Sequence, residues 1–334
     1  MLTITTVSLF DADRSAERTP VSVITGFLGS GKTTLLNHLL RRPDFGDAAV
    51  IVNELGEVAI DHLLLRESTR EVAVLASGCV CCAMRSDLEG TLRGLLAARD
   101  QGEVPAFRRV LIETSGLADP GPVLQTLLNN PLVSHFVRLD RVVTTADAVH
   151  GAAQLERHPE ARKQAALADV LVLTKLDLEP RGAARLEPQL RALNGVAPVE
   201  RAERGAIDPD RLFESSSMNA LERILRLGTE RKPAHTGGVR TLALETERPL
   251  DWLAVQDWLA ALRAAHGPQL LRAKGVLDLQ GEEQPVVIHG VHHVFHPPVR
   301  LERWPEGPRR SRLVLILQDL DPAPLAASFA ALQG

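Results

Sequence analysis

Three cysteines are the whole thiol complement of this 334-residue chain, and all fall in Gly78-Cys79-Val80-Cys81-Cys82. Thiolates suit Zn2+ and other borderline or soft divalent ions, so the C-x-C-C run reads as a transition-metal site at Cys79, Cys81 and Cys82. A structural zinc takes four ligands, whereas three plus an open or borrowed position suits a site that also releases its metal. Water, Glu57, Asp61 or a partner's group are the candidates for the fourth position. The bland reading is three small buried hydrophobes, because free cysteine is often buried. Clustering, with no cysteine elsewhere, favours the metal.

A second chemistry brackets the first. Gly26-Phe27-Leu28-Gly29-Ser30-Gly31-Lys32-Thr33 matches G-x-x-x-x-G-K-[ST] at every position, with Thr34 following. In such a loop, Gly26, Gly29 and Gly31 let the backbone wrap phosphates. Successive N–H groups and the helix start supply positive potential there. Lys32 reaches the β- and γ-phosphates, and the Thr33 hydroxyl ligates Mg2+. Glu113-Thr114-Ser115-Gly116 ends an apolar run where a Mg2+-linked acid is expected. Glu113 holds the ion through water, and Gly116 lets the backbone approach the γ-phosphate. Lys32, Thr33 and Glu113 are the expected catalytic set. Thr174-Lys175-Leu176-Asp177 closes another apolar run. A carboxylate at Asp177 accepts both donors on the guanine edge, and Lys175 lays its stem along the base. This run resembles the N-K-x-D motif of GTPases, with Thr174 in place of Asn. An aspartate that merely starts a helix is the alternative.

These groups need a scaffold. Short apolar strands are expected at 21–24, 48–52, 72–75, 110–112, 142–144 and 170–173. Helix-length segments separate most of them, and Leu35, Leu36, Leu39 and Leu40 share one helical face. Alternating elements with near-continuous apolar strands give an α/β P-loop NTPase fold, a mostly parallel sheet covered by helices on both faces. The pattern then changes. Residues 1–20 read as a polar extension, 21–228 as the nucleotide domain and 229–238 as a Pro/Gly-bearing linker. Residues 239–334 form a smaller C-terminal α+β domain. Its expected strands are 239–244, 270–279, 285–295 and 312–317, with helices over 253–265 and from Pro322. In that domain His289, His292, His293 and His296 lie close in sequence. A continuous strand puts His292 and His296 on one face and offers a metal pair; a solvated edge is the competing reading.

Composition narrows the partners. A net charge of -4 gives no polyanion-binding surface, so nucleic acid is a poor partner. No apolar run approaches the ~20 residues that span a bilayer, so no membrane partner is expected. The first 20 residues lack a basic start and apolar core, so no secretory signal is read and a cytoplasmic location is expected.

With these motifs in order, the chain resembles the CobW-type P-loop GTPases, in particular a YjiA-like subgroup. UreG and HypB, which handle nickel, are relatives of that family. Asn53-Glu54-Leu55-Gly56-Glu57-Val58-Ala59-Ile60-Asp61 is similar to the family's segment after the second strand. C-x-C-C is its hallmark, and Thr114-Ser115-Gly116-Leu117-Ala118-Asp119-Pro120 also fits. Trp304-Pro305 and Arg310-Ser311-Arg312 are similar to the family's C-terminal domain. The resemblance implies GTP hydrolysis, with GTP and Mg2+ as cofactors, and delivery of Zn2+, or another ion such as Co2+, to a client metalloprotein. The linker holds only His235, unlike the His-rich linkers of many relatives, which argues against a storage role. A GTP-switched metal sensor with little turnover is the alternative. A P-loop kinase with structural zinc is a third reading, and Asp177 argues against it. A homodimer is compatible with all three.

Overall fold

A computed structural model describes residues 18–53, 74–76, 84–213, 224, 238–304 and 307–333. Cys79, Cys81, Cys82, Glu57, Asp61 and nearly all of the 229–238 linker lie outside them. The chain divides into two compact units, built mainly on 18–215 and 241–334.

Among the described residues of the first unit, seven strands form one sheet. They are β1 (Thr19–Gly26), β2 (Ala48–Asn53), β3 (Val74–Ala76), β4 (Arg109–Thr114), β5 (Val137–Asp147), β6 (Val170–Thr174) and β7 (Val199–Arg201). Their order is β3-β2-β4-β1-β5-β6-β7, and every pair is parallel. The helices are α1 (Lys32–Leu40), α2 (Met84–Asp100), α3 (Gly121–Asn129), α4 (Pro131–Ser134), α5 (Gly151–Arg157), α6 (Pro159–Leu167), α7 (Gly182–Leu193) and α8 (Asp210–Phe213). Parallel strands need such crossovers, and a sheet covered on both faces explains why β6 is apolar from Val170 to Leu173. Leu35, Leu36, Leu39 and Leu40 of α1 pack on Ile24, Val50, Val52, Leu111, Val143 and Val172. Each such leucine contributes about 1.5–3 kcal/mol on burial. This packing fixes α1, and with it the glycine loop, over the middle of the sheet.

The second unit holds β8 (Val239–Thr246), α9 (Trp252–His266), β9 (Leu270–Leu277), β10 (Val286–Val291), β11 (Val294–Phe295), β12 (Val299–Arg300), β13 (Ser311–Gln318) and α10 (Pro322–Ala330). Its sheet runs β11-β10-β9-β13-β8, with β12 also on β10. Helices α9 and α10 bury Val255, Leu259, Leu262, Leu325 and Phe329 against Leu244, Ala273, Leu277, Leu313, Leu315 and Leu317. Asp251 and Asp321 cap the two helices by accepting the N–H of Ala254 and Ala323. On the other face Arg312 and Arg310 both pair with Glu245. Burial pushes the Asp278 carboxyl above its ordinary range.

One expectation is overturned. Residues 285–295 are not a single strand. The chain reverses at His292 and His293, and Gly290 pairs with Phe295 and Val291 with Val294. His292 takes φ 51 and is buried, so His292 and His296 do not share a strand face. The hairpin instead opposes His289 and His296, whose rings lie 6.2 Å apart. Among the described residues no cluster of three or more His, Cys, Asp or Glu is placed to hold a metal.

Candidate nucleotide site

The glycine loop turns from β1 into α1 through three left-handed or extended-positive glycines, with φ 142, 69 and 95 at Gly26, Gly29 and Gly31. Gly26 is also sterically required: a Cβ there would lie 2.4 Å from Thr145 Oγ1 and 2.5 Å from Thr145 O. That contact locks the loop to the end of β5, where the Ser30 and Thr145 hydroxyls meet at 2.7 Å. Lys32 opens α1, and its Nζ donates to the Phe27 carbonyl across the loop at 3.3 Å. Thr33 follows, and its hydroxyl donates to Glu113 Oε1 at 2.6 Å. Glu113 is buried near the end of β4, the strand beside β1. A hydroxyl and a carboxylate brought together next to a phosphate loop are hard oxygen donors, the set that Mg2+ prefers. Behind them the Thr114 hydroxyl donates to Thr25 Oγ1 at 2.8 Å, tying β4 to β1.

Gly116 lies close to the loop. A Cβ on it would stand 2.7 Å from Leu28 N and 2.8 Å from Leu28 Cα, both backbone atoms that cannot swing aside. Gly116→Ala should therefore displace this segment. Single-turnover hydrolysis should fall on the order of 100-fold, the scale of a 1 Å misplacement, with GDP affinity retained.

The residues expected to read the base lie at and past the end of β6. The Thr174 hydroxyl lies 2.7 Å from Ser30 O and 3.3 Å from Ala146 O, so it braces the glycine loop against the end of β6. Lys175 takes φ 57 and its Nζ donates to Asp147 Oδ2 at 2.8 Å. Asp147, buried at the end of β5, thereby aims the lysine stem, a role sequence reasoning missed. Asp177 pairs with exposed Arg204 at 3.5 Å. Arg204 and Gly205, at φ 50 and 83, shape the loop after β7. A Cβ on Gly205 would meet Thr34 O at 2.6 Å, so this loop abuts the first turn of α1. The signal for it was present in sequence: an Arg-Gly step just past the strand that follows Asp177.

The arrangement thus brings the glycine loop, the Thr33–Glu113 oxygen-donor pair and the Asp177 carboxylate to the C-terminal ends of neighbouring strands of one parallel sheet. Among the described residues no helix is long and apolar enough to cross a membrane.

Residues 20–201 match the model of the CobW/HypB/UreG nucleotide-binding domain, and residues 239–333 match the cobalamin synthesis protein cobW C-terminal domain. The chain is 32% identical over 319 residues to the zinc chaperone YjiA of Escherichia coli, covering 94% of this chain and 98% of that protein. It is 29% identical over 355 residues to the zinc chaperone CobW of Pseudomonas aeruginosa, covering 94% and 91%. The crystal structure of Zn(II)-bound YjiA GTPase from E. coli superposes with a TM-score of 0.74 at 28% identity, covering 95% of this chain and 99% of that one. Matched over most of its length by both the domain model and a 32% identical relative, this chain belongs to the CobW/HypB/UreG family of nucleotide-binding proteins.

Proposed function

We propose that this protein hydrolyses GTP to GDP and phosphate and, under that control, delivers a divalent transition metal, zinc first, to a client metalloprotein. The observation that carries the GTPase half is the Thr33–Glu113 hydrogen bond of 2.6 Å beside a complete phosphate loop. Lys32 and the N–H groups from Gly29 to Thr34 bind and orient the phosphates. Thr33 and Glu113 would hold Mg2+, which supplies neutralisation of charge on the β- and γ-phosphates when bound. Gly116 brings a backbone amide near the γ-phosphate. Asp177 accepts from guanine, with Lys175 along the base and Thr174 behind the loop.

The metal half rests on Cys79, Cys81 and Cys82 and on the relatives' names, zinc chaperone and GTPase. Zinc is the cargo here, held by three thiolates with Glu57 or Asp61 as supplementary ligands. The trio lies in sequence between 53–61 and 113–116, the two segments expected to rearrange with the nucleotide. Residues 21–228 carry the nucleotide chemistry in this reading, and 239–334 dock the client.

The test is linkage. Zinc is titrated against a competing chelator with Mg2+ present and with either GDP or a non-hydrolysable GTP analogue. Zinc affinity should differ by about 5–150-fold between the two states, and GTP affinity should shift by the same factor when zinc is added. It should also rise with pH, because thiols lose protons to ligate. Serine at all three cysteines should abolish the coupling and spare GTP binding. Equal zinc affinities in the two states would leave a GTPase with a merely structural metal.

A further inference from the structure

We propose that Gln164 is a positioning residue for hydrolysis, holding from behind the segment that meets the γ-phosphate; this rests on the GTPase reading above. Gln164 lies on α6 and is wholly buried. Its Nε2 donates to Gly116 O at 3.1 Å and to Ala118 O at 3.0 Å, which spends both amide protons on one loop. Its Oε1 is buried with no hydrogen-bond partner. Turning the amide would set that oxygen against two carbonyls, so the orphan cannot be relieved by a flip.

A buried orphan oxygen costs free energy, and a leucine of similar volume would fill the same space without it. What the amide provides and leucine cannot is direction. Peptides are planar and trans, so fixing the Gly116 carbonyl fixes the Leu117 N–H in the opposite sense. Ala118 N in turn donates to Ser115 O at 3.0 Å, which closes the turn. The preceding residue of α6 grips the far end of the segment, with Lys163 Nζ 2.6 Å from Asp119 Oδ2. Asp119 Oδ1 also accepts Gly121 N at 2.8 Å, where α3 begins. The helix itself is moored, because the Thr144 hydroxyl of β5 donates to the Gln164 carbonyl at 2.9 Å. The segment is thus pressed between the Leu28 backbone on one side and α6 on the other.

The full-length protein is tested as parent, Gln164→Leu and Gln164→Glu, by GDP affinity, affinity for a non-hydrolysable GTP analogue, and kcat across pH. Gln164→Leu should keep the parent's GDP affinity while kcat falls about 10–100-fold, with weaker binding of the GTP analogue. In Gln164→Glu an ionised carboxylate would repel two carbonyls, whereas the acid form donates one hydrogen bond. Burial raises that carboxyl's pKa, so hydrolysis should recover as pH falls, a recovery absent in Gln164→Leu. Parental kcat in Gln164→Leu overturns the inference and leaves the GTPase reading intact. Loss of GDP binding in step with activity overturns it too, by showing a structural role. A parent that does not hydrolyse GTP overturns the GTPase reading, and this inference with it.

Discussion

Lys32→Ala should hydrolyse GTP about 10³–10⁵-fold more slowly than the parent, the scale on which one cation matters at a transferring phosphoryl group. The size follows from where Lys32 sits. It is buried at the first position of α1, with its Nζ directed across the loop to the Phe27 carbonyl at 3.3 Å. In a site with little water, a fixed ammonium group stabilises developing charge without reorganising, and nothing replaces it in the variant. Alanine is the strongest helix former, so α1 keeps its start and the fold should be intact by circular dichroism. Single-turnover hydrolysis at saturating GTP separates this effect from weaker binding. Near-parental turnover would mean that the loop binds phosphate without catalysing its transfer.

Asp177→Asn should weaken GTP about 100-fold or more, because two hydrogen bonds to a charged acceptor are replaced by a mismatched amide. Xanthine carries an oxygen where guanine carries its amino group, so the asparagine N–H finds an acceptor and XTP affinity should rise. Loss of the Arg204 pair adds little, since Arg204 is exposed and surface ion pairs are worth about 0–1 kcal/mol. Competition binding with GTP, XTP and ATP on parent and variant reads both effects. If ATP competes as well as GTP in the parent, Asp177 does not select the base.

The parallel sheet was legible because strands buried on both faces write continuous apolar runs, as at Val170–Leu173. The first half of β5 was not, because Arg138, Asp140 and Arg141 break the run. Arg138 and Asp140 form an ion pair at 2.7 Å, and Ser22 of β1 donates to Asp140. The hairpin at His292 and His293 was hidden for another reason: such turns normally announce themselves with Asn or Gly, and here a histidine takes φ 51. Within the candidate site, the glycine loop and Glu113 could be read because their chemistry follows from local spacing. Gln164 and Asp147 could not. Gln164 acts on a carbonyl 48 residues away, and Asp147 on a lysine 28 residues away. Only the parallel register of β4, β1, β5 and β6 brings those partners together.

The Thr174 hydroxyl has a consequence for how spent nucleotide leaves. It lies 2.7 Å from Ser30 O and 3.3 Å from Ala146 O, so the strand end that carries Lys175 and Asp177 is stitched to the glycine loop. Loosening one end therefore loosens the other. In the proposed binding mode, base and diphosphate would therefore share one mechanical support, and their release should be coupled.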